Sequence, residues 1–465
     1  MNELLDAEGT LERALARLDP KVTYADALAE CASGFRVRLE KSMTGASPSP
    51  DMKGVVFRAW TGSRWAETVA RSLDAVDVGH AVDALQRELE SSPSRGSAPP
   101  GPSPTGRSDG RTKTTRPIVE VPVEELIETA RGWFDVAMAV PGISNTFANA
   151  SYLSNDRLFL ANSGARRYQS IQRVSVSVVP FALDAGRVEY DAIVEGATGG
   201  AEVLGKISEE RVRGAAQGAL ELLQAKAAPT GKMTVLLDPS TAGTFAHESF
   251  GHGTEADQLL RERSYLKPLL GKVLGPESLT LVDDGSYPSG WGSIFFDDEG
   301  TPGRRNVLVD RGRFEEVLHD RETALELRRS PGGNARRADF LSRTFVRMTN
   351  TFVEPGDWGL GELVREARDG ILLERCTSGI EDPLGGQMQL KVKRARRIEH
   401  GELTTPYSSM ALSGRVLDFL RSIRGVGRKE YFEMSPGFCG KGHTDILPAG
   451  TGGSYLLSEA VVGPA

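Results

Sequence analysis

A short stretch near the middle of the chain combines two histidines with a glutamate. His247 and His252 lie five residues apart, and Glu248 directly follows the first of them. Imidazoles are common zinc ligands, and a neighbouring carboxylate is a suitable base for water that a metal ion activates. Because the chain contains only 6 histidines among 465 residues, this clustering predicts a catalytic metal site. The alternative is a surface helix with two solvated histidines.

The five-residue spacing does not suit a regular α-helix, because residues five apart diverge by about 140° around its axis. One extra residue in the turn, a π-bulge, brings the two side chains back to one face, and such bulges occur mostly at functional sites. Gly251 fits this interpretation, since glycine tolerates unusual backbone conformations. We therefore predict a helix that is locally widened between His247 and His252.

The flanking residues predict elements that position this helix. Residues 233–237 form an apolar run typical of a buried strand, and residues 238–241 supply turn and N-cap chemistry. The apolar side chains of Phe245, Phe250 and Leu259 are expected to pack the helix against a sheet.

A catalytic zinc site needs a third protein ligand and one open position. The remaining histidines and cysteines are the candidates: His80, His319, His400, His443, Cys31, Cys376 and Cys439. Cys439 is favoured because residues 436–442 form a glycine-rich segment in which Lys441 would stabilise a thiolate. His443 and Cys376 stay open as alternatives, and His443 could instead stabilise an oxyanion.

Two further carboxylates lie just after the second histidine. Glu255 and Asp257 are candidates for hydrogen bonds that orient the ligand imidazoles, as outer partners of metal sites commonly do. The alternative is that both are solvated helix charges.

The chain resembles the TldD/PmbA family of metallopeptidases, specifically its TldD-like catalytic subunit. The resemblance rests on four separated blocks in the second half of the chain: residues 247–257, 297–303, 347–351 and 439–442. It implies a site with His247, His252 and Cys439 as metal ligands and Glu248 as general base, with one zinc ion per chain. The family's non-catalytic subunit, TldE/PmbA, lacks the His-Glu signature. The resemblance also implies a homodimer or a heterodimer with a TldE/PmbA-like subunit.

The function predicted from these residues is zinc-dependent hydrolysis of peptide bonds in short or unfolded peptides, by an HExxxH-type metallopeptidase. A peptide would bind extended against a sheet edge, with Lys441 and His443 as possible substrate or oxyanion contacts. One alternative is a peptide- or partner-binding regulatory subunit whose metal site is structural, completed by His443 or Cys376. Another is an amidase that acts on a small molecule. Iron or cobalt could replace zinc at such a site.

Composition narrows the class of protein. With 56 Lys and Arg against 63 Asp and Glu, the net charge of −7 argues against general nucleic-acid binding. The basic run at 391–397 alternates like a strand and is expected to present a solvated face. Three cysteines predict a reducing compartment. The absence of a signal peptide or a long apolar run predicts a cytoplasmic protein without a membrane partner.

The pattern along the chain predicts an α+β fold with antiparallel sheets and packed helices in both halves. The predicted divisions are an N-terminal segment (1–92), a Pro/Ser/Gly-rich flexible loop (93–115), a strand-rich segment completing the N-terminal domain (116–228) and a C-terminal metallopeptidase domain (229–465). Within the first segment, residues 4–18 and 80–89 predict helices and 35–39 a strand. Hairpin turns are predicted at 184–186, 310–312 and 399–401. Ser208 is predicted to cap a helix whose inward side chains are Val212, Ala216, Ala219 and Leu223. The G-x-S-x-G match at 106–110 lies in the predicted loop and is interpreted as a false positive.

Overall fold

In the first half of the chain, eight strands form one sheet. The computed structural model describes residues 3–62, 64–91, 101–441 and 445–465. The strands of this sheet are β1 (Tyr24–Glu40), β2 (Met43–Trp60), β3 (Trp65–Ala70), β4 (Arg107–Arg111), β5 (Ile143–Ala161), β6 (Arg166–Asp184), β7 (Arg187–Tyr190) and β8 (Ile193–Thr198). Their order is β3-β2-β1-β5-β6, and β4, β7 and β8 all pair with the outer edge of β6. The pairing of β4 with β6 is parallel, and the other pairs are antiparallel.

Four α-helices pack against this sheet: α1 (Glu3–Ala16), α2 (Ala75–Ser91), α3 (Val123–Met138) and α4 (Glu209–Leu223). Helices α1 and α2 share an apolar cluster with β1 to β3, and α3 and α4 share another with β5 and β6. Ser208 caps α4, since its hydroxyl accepts a hydrogen bond from the Arg211 amide at 3.3 Å. The residues predicted to face inward on α4 are buried, namely Val212, Ala216, Ala219 and Leu223.

The second half begins with β9 (Gly231–Leu237) and alternates short helices with strands. The helices are α5 (Pro239–Thr244), α6 (Ala256–Leu260), α7 (Arg321–Glu326), α8 (Leu360–Ala367) and α9 (Val416–Arg421). The strands are β10 (Leu281–Asp284), β11 (Arg305–Asp310), β12 (Arg313–Phe314), β13 (Ala335–Arg336), β14 (Phe345–Val346), β15 (Asn350–Val353), β16 (Gly370–Asp382), β17 (Gln387–Glu399), β18 (Glu402–Tyr407), β19 (Met410–Arg415), β20 (Gly425–Val426), β21 (Glu433–Lys441), β22 (Asp445–Gly453) and β23 (Leu456–Pro464). A π-helical segment at Phe245–Gly251 follows α5, and short 3₁₀ helices lie at Ile118–Glu120, Ala201–Lys206, His252–Thr254, Lys267–Leu269 and Lys429–Tyr431.

Two larger sheets organise this half. One has the order β12-β11-β10-β15-β22-β21, so that β21 is an edge strand among the described residues. In the other, successive pairings join β16, β9, β23, β19 and β17, and a direct pairing of β16 with β17 closes the ring. One large apolar cluster, which includes Phe245 and Phe250, fills the space between the elements of this half.

The α+β fold predicted from the sequence is confirmed. Three predicted hairpin turns, at 184–186, 310–312 and 399–401, are confirmed, and each contains a residue before glycine that adopts positive φ: Ala185, Arg311 and His400. Consecutive positive φ values are what the tightest antiparallel hairpins require.

The strand predicted at 35–39 is confirmed, and it is the end of β1, a 17-residue strand that pairs along its length with β2. The predicted flexible loop at 93–115 is wrong for Arg107–Arg111, which form strand β4 and pair with β6; residues 92–100 lie outside the described residues. Residues 107–111 lack the β-branched alternation that marks a strand in sequence, and pairing with β6 decides their conformation. In the described residues, no helix is long and apolar enough to cross a membrane.

Candidate metal centre

Strand β9 and helix α5 fix the start of the helical turn that carries the histidines. Asp238 ends the strand and caps α5, because its Oδ1 accepts hydrogen bonds from the Thr241 amide at 2.8 Å and the Thr241 hydroxyl at 2.6 Å. Pro239 occupies the first helical position, where its missing N–H has no cost. The predicted strand, cap and helix are therefore confirmed in that order.

The predicted widening between the histidines is also confirmed, and it spans the seven residues Phe245–Gly251. The His252 amide donates to the His247 carbonyl, five residues earlier, which is the hydrogen bond of a π-turn. As a result the two imidazole ring centroids lie 5.3 Å apart. The predicted reason for Gly251 was wrong: its φ of −56° is ordinary helical backbone. A Cβ there would lie 2.1 Å from Met348 Sδ, so the glycine is needed for close packing.

Cys439, on β21, is the third member of the cluster. One donor atom from each of His247, His252 and Cys439 lies within 4.8 Å of the other two, and His252 Nε2 is 3.4 Å from Cys439 Sγ. Two ligands on one tetrahedral zinc, at about 2.1 Å for nitrogen and about 2.3 Å for sulfur, would be roughly 3.6 Å apart. His247 Nδ1 is buried without a hydrogen-bond partner among the described residues. The donor set therefore fits a zinc ion.

The cluster favours an ionised thiol. Burial opposes charge on Cys439, but the adjacent imidazoles of His247 and His252 outweigh burial and hold the pKa of the thiol well below its usual range. Burial likewise opposes charge on His252, and Cys439 and Glu255 together raise the pKa of its imidazole well above the ordinary value. A deprotonated thiol is the form that binds a metal ion.

Glu255, predicted as an orienting carboxylate, lies on the far side of His252. Its Oε1 is 3.6 Å from His252 Nδ1, and its Oε2 is 3.0 Å from Lys441 Nζ. The carboxylate is buried, yet Lys441 and His252 overcome the cost of burial and lower the pKa of Glu255 to about 2. Asp257 is 2.8 Å from the same ammonium and does not reach the imidazoles directly. Arg347 donates to the Cys439 carbonyl and lies 3.8 Å from Glu255.

Glu248 lies between the cluster and a cleft of about 900 Å³. Its Oε2 is 3.9 Å from His252 Nε2, and both Glu248 and His247 line the cleft. Gly379 on β16 makes room for this side chain, since a Cβ at that position would lie 2.8 Å from Glu248 Cγ. The carboxylate is thus positioned beside the donor atoms of the cluster and open to the cleft.

The other predicted site residues lie elsewhere. The Lys441 ammonium contacts Glu255, Asp257 and the Val346 carbonyl, and Lys441 does not line the cleft, so the structure favours an ion-pair role over a substrate contact. His443 lies outside the described residues. Cys376 lines the cleft without joining the cluster, and burial raises the pKa of its thiol to about 12.

The remaining candidate ligands are distant in the fold or otherwise engaged. Cys31 lies on β1 and His80 on α2, both in the first half, and His400 lies in the turn after β17. His319 is buried at 3.3 Å from Glu316. Sequence reasoning missed one nearby group, Glu381, whose carboxylate oxygens are buried and whose pKa burial raises to about 8. No spacing signal links Glu381 to the histidines, because it reaches them from a different strand.

Two imidazoles, a thiol and a carboxylate beside a cleft are groups that hydrolytic metal centres use. Comparisons with known proteins identify the family. The second half of the chain, residues 230–462, matches the family described as "PmbA/TldA metallopeptidase C-terminal domain". The chain is similar to a metalloprotease of Methanocaldococcus jannaschii, with 35% identity over 356 residues that cover 76% of each protein. It is also similar to a zinc metalloprotease TldD homolog of Saccharolobus solfataricus, with 31% identity over 234 residues, 50% of this chain and 52% of that protein.

The whole fold is shared with a solved structure. TldE from Thermococcus kodakarensis superimposes with a TM-score of 0.79 at 16% identity, covering 98% of this chain and 100% of that one. The chain therefore belongs to the TldD/PmbA family of metallopeptidases. Within this family it is TldD-like, as its sequence relatives are.

Proposed function

We propose that the chain is a zinc-dependent peptidase that hydrolyses peptide bonds in short or unfolded peptides. The observation that carries this proposal is that His247, His252 and Cys439 converge on one point while Glu248 stands between them and the cleft. Three protein ligands and one open side are the arrangement of catalytic zinc sites, whereas structural sites use four protein ligands.

The donor set supports zinc, with one ion per chain. A thiolate and two imidazoles are ligands that zinc prefers, and a sequence relative is named as a zinc metalloprotease. When bound, zinc would polarise the substrate carbonyl and lower the pKa of a water molecule toward neutrality. Glu255 would hold the His252 ring in place through its Nδ1 side, which leaves Nε2 directed toward Cys439.

Glu248 would act as the general base. Its carboxylate lies next to the ligand atoms, in position to accept a proton from the attacking water and later to donate it to the leaving amine. The space provided by Gly379 allows this side chain to approach a substrate in the cleft without displacing β16.

The cleft supports an extended peptide as substrate. One wall is β21, an edge strand of its sheet among the described residues, and the opposite wall is the 375–379 part of β16. A peptide that pairs with the main chain of β21 would run toward Cys439 and the metal ligands. Main-chain pairing recognises an extended backbone with little dependence on sequence, which suits unfolded substrates.

The site and the fold also bear on partners and location. We propose that the chain works as a homodimer or as a heterodimer with a TldE/PmbA-like subunit; its fold is shared with a TldE protein. We further propose a cytoplasmic location, which is supported by three free cysteines, one of them within the metal cluster.

The decisive experiment replaces the proposed base and keeps the ligands. In Glu248→Gln, we expect one zinc per chain by elemental analysis, as in the wild type, and a loss of about 10²–10⁴-fold in kcat/KM for unstructured peptides. Glu262→Gln, which alters an exposed carboxylate paired with Lys267, serves as the control and should cleave as the wild type does. Unchanged cleavage in Glu248→Gln would remove Glu248 from the mechanism. Zinc retained by a wild type without any cleavage would favour a regulatory subunit.

A further inference from the structure

A second, smaller cavity, of about 60 Å³, lies between the two halves of the chain. Strands β5 and β6 supply one side of it through Arg157, Gln169 and Arg173, and the second half supplies the other through Phe296 and Arg336. It shares no lining residue with the cleft at the metal centre. Three arginines and two carboxylates, Asp297 and Asp298, therefore line one small cavity.

The three arginines differ in how their charge is balanced. Arg157 is paired with Glu30 at 2.8 Å and also with Asp298. Arg173 donates only to neutral carbonyls, of Trp291 at 2.6 Å and of Ser293 at 2.9 Å.

Arg336 is likewise held by carbonyls, those of Met348 and Pro448. Arg173 and Arg336 are both 5% exposed, and within the described ranges neither has a carboxylate at salt-bridge distance. Among the described residues, these two buried guanidinium groups are thus balanced only by more distant carboxylates, which for Arg336 include Asp298 and Asp283.

Asp297 and Asp298 line the same cavity, but the hydrogen bonds of their oxygens go to groups other than Arg173 and Arg336. Asp297 accepts hydrogen bonds from the amides of Glu299, Thr301 and Ala335. Asp298 accepts from Arg157 through one oxygen and from the Arg337 amide through the other.

The pKa values of Arg173 and Arg336 also indicate that their positive charges are poorly compensated. Burial, reinforced by repulsion from Arg336 and Arg157, lowers the pKa of Arg173 to about 9. Burial and repulsion from Arg347 lower the pKa of Arg336 to about 10. Both groups still carry their charge at neutral pH. An uncompensated buried charge is costly, so a negative charge placed between them would be strongly favoured.

We propose that this cavity binds a small inorganic anion, held by the guanidinium groups of Arg173 and Arg336. A volume of about 60 Å³ accommodates roughly four to six water positions, which suits a halide or one tetrahedral oxyanion better than a larger organic anion. The anion would link β6 of the first half to β22 of the second, since Arg336 also holds Pro448. Pro448 pairs with Phe438, the residue before Cys439, so occupancy of the cavity supports the hairpin that carries the thiol.

Thermal unfolding of the zinc-loaded full chain tests this site. At constant ionic strength, sodium gluconate, whose anion is larger than this volume suits, is replaced stepwise by sodium chloride in one series and by sodium phosphate in another. We expect the Tm to rise along a saturating curve in at least one series, and the series that responds identifies a halide or an oxyanion. An identical Tm in all three salts overturns the proposal.

Variants of the two cavity arginines test whether the anion that raises the Tm binds in this cavity. Arg173→Gln and Arg336→Gln should each raise the apparent Kd for the anion by roughly 10-fold or more, whereas Arg213→Gln, at an exposed arginine paired with Glu209, should leave it unchanged. A saturating response that persists in both cavity variants places the anion elsewhere and overturns the proposal. Should the variants fail to fold, crystals of the wild type soaked in bromide decide: an anomalous peak within hydrogen-bond distance of both guanidinium groups supports the site, and a cavity without a peak, together with no phosphate density after a phosphate soak, refutes it.

Discussion

Around His252 buried charges of both signs alternate, whereas around Arg173 buried positive charges face carbonyls and one another. At the metal centre, Glu255 lies between His252 and Lys441, and Lys441 lies between Glu255 and Asp257. The chain therefore supplies both signs of charge there and holds the ligand side chains in place itself. At the cavity, two carboxylates line the same space, yet among the described residues Arg173 and Arg336 have none at salt-bridge distance. The comparison contrasts a proposed cation site whose charges the chain itself balances with a proposed anion site whose two arginines lack a close carboxylate.

The largest expected effect concerns the thiol of the metal centre. Cys439→Ala removes one of the three proposed ligands. Loss of a residue that only orients a ligand lowers metal affinity by up to about 100-fold. We therefore expect the zinc affinity of Cys439→Ala to fall by more than about 100-fold. Cys376→Ala is the matched control, because its thiol lines the cleft outside the cluster. Competition with a chromophoric chelator measures both affinities. Equal losses of zinc affinity in the two variants, or a loss only in Cys376→Ala, would contradict the assignment of Cys439 as the third ligand.

A pair of arginine variants tests the contrast in charge balance. Arg157→Met leaves the carboxylates of Glu30 and Asp298 buried without a cation, which costs about 3–5 kcal/mol of unfolding free energy. Arg173→Met removes a charge that lacks an acidic partner and leaves only carbonyls unbound, so we expect a cost at least about 2 kcal/mol smaller. Urea unfolding in gluconate measures both. Equal losses of unfolding free energy in the two variants would show that the charges of Arg157 and Arg173 are balanced to the same extent.

Glu255 tests whether the alternating charges act on the metal. Glu255→Gln keeps the shape of the side chain but weakens its hold on His252 Nδ1, and we expect zinc affinity to fall by about 10–100-fold. Asp257→Asn reaches the imidazole only through Lys441, so its effect should be smaller. Chelator competition again provides the measurement. A larger loss of zinc affinity in Asp257→Asn than in Glu255→Gln would show that Asp257, and not Glu255, orients the imidazole.

Glu381 is an exception to the balance of buried charges around His252. Its contribution to the stability of the fold depends on pH. Burial raises the pKa of its carboxyl to about 8, above the value of about 4.3 expected in the unfolded chain. Between these values the folded state keeps a proton that the unfolded state has lost, so stability falls as pH rises.

Glu381→Gln removes this dependence. In chelator-treated protein, the stability of the variant relative to the wild type should increase by up to about 1.4 kcal/mol per pH unit between about pH 5 and 7.5. Urea unfolding across this range measures the difference. A constant difference would show that Glu381 titrates normally.

Local signals predicted the elements around the histidines well. Asp238 at the N-cap, the apolar strand before it and the His-x₄-His spacing each restrict the backbone within a few residues, and the strand, helix and π-turn follow from them. The same holds for Ser208 at α4 and for the three hairpin turns, where cap and glycine chemistry act locally. The long pairing of β1 with β2 and the strand at Arg107–Arg111 were not predicted, since partners distant in sequence stabilise them.

By itself, the sequence determined the family, the two imidazoles on one widened turn and the carboxylate that follows the first of them, because these features are encoded within consecutive residues. Only the tertiary structure decided which cysteine meets the histidines, why Gly251 must lack a side chain and where Lys441 is directed. It alone brought Arg157, Arg173 and Arg336 to one cavity. These outcomes depend on strands that pack together from distant parts of the chain, and the balance of buried charge exists only once they have packed.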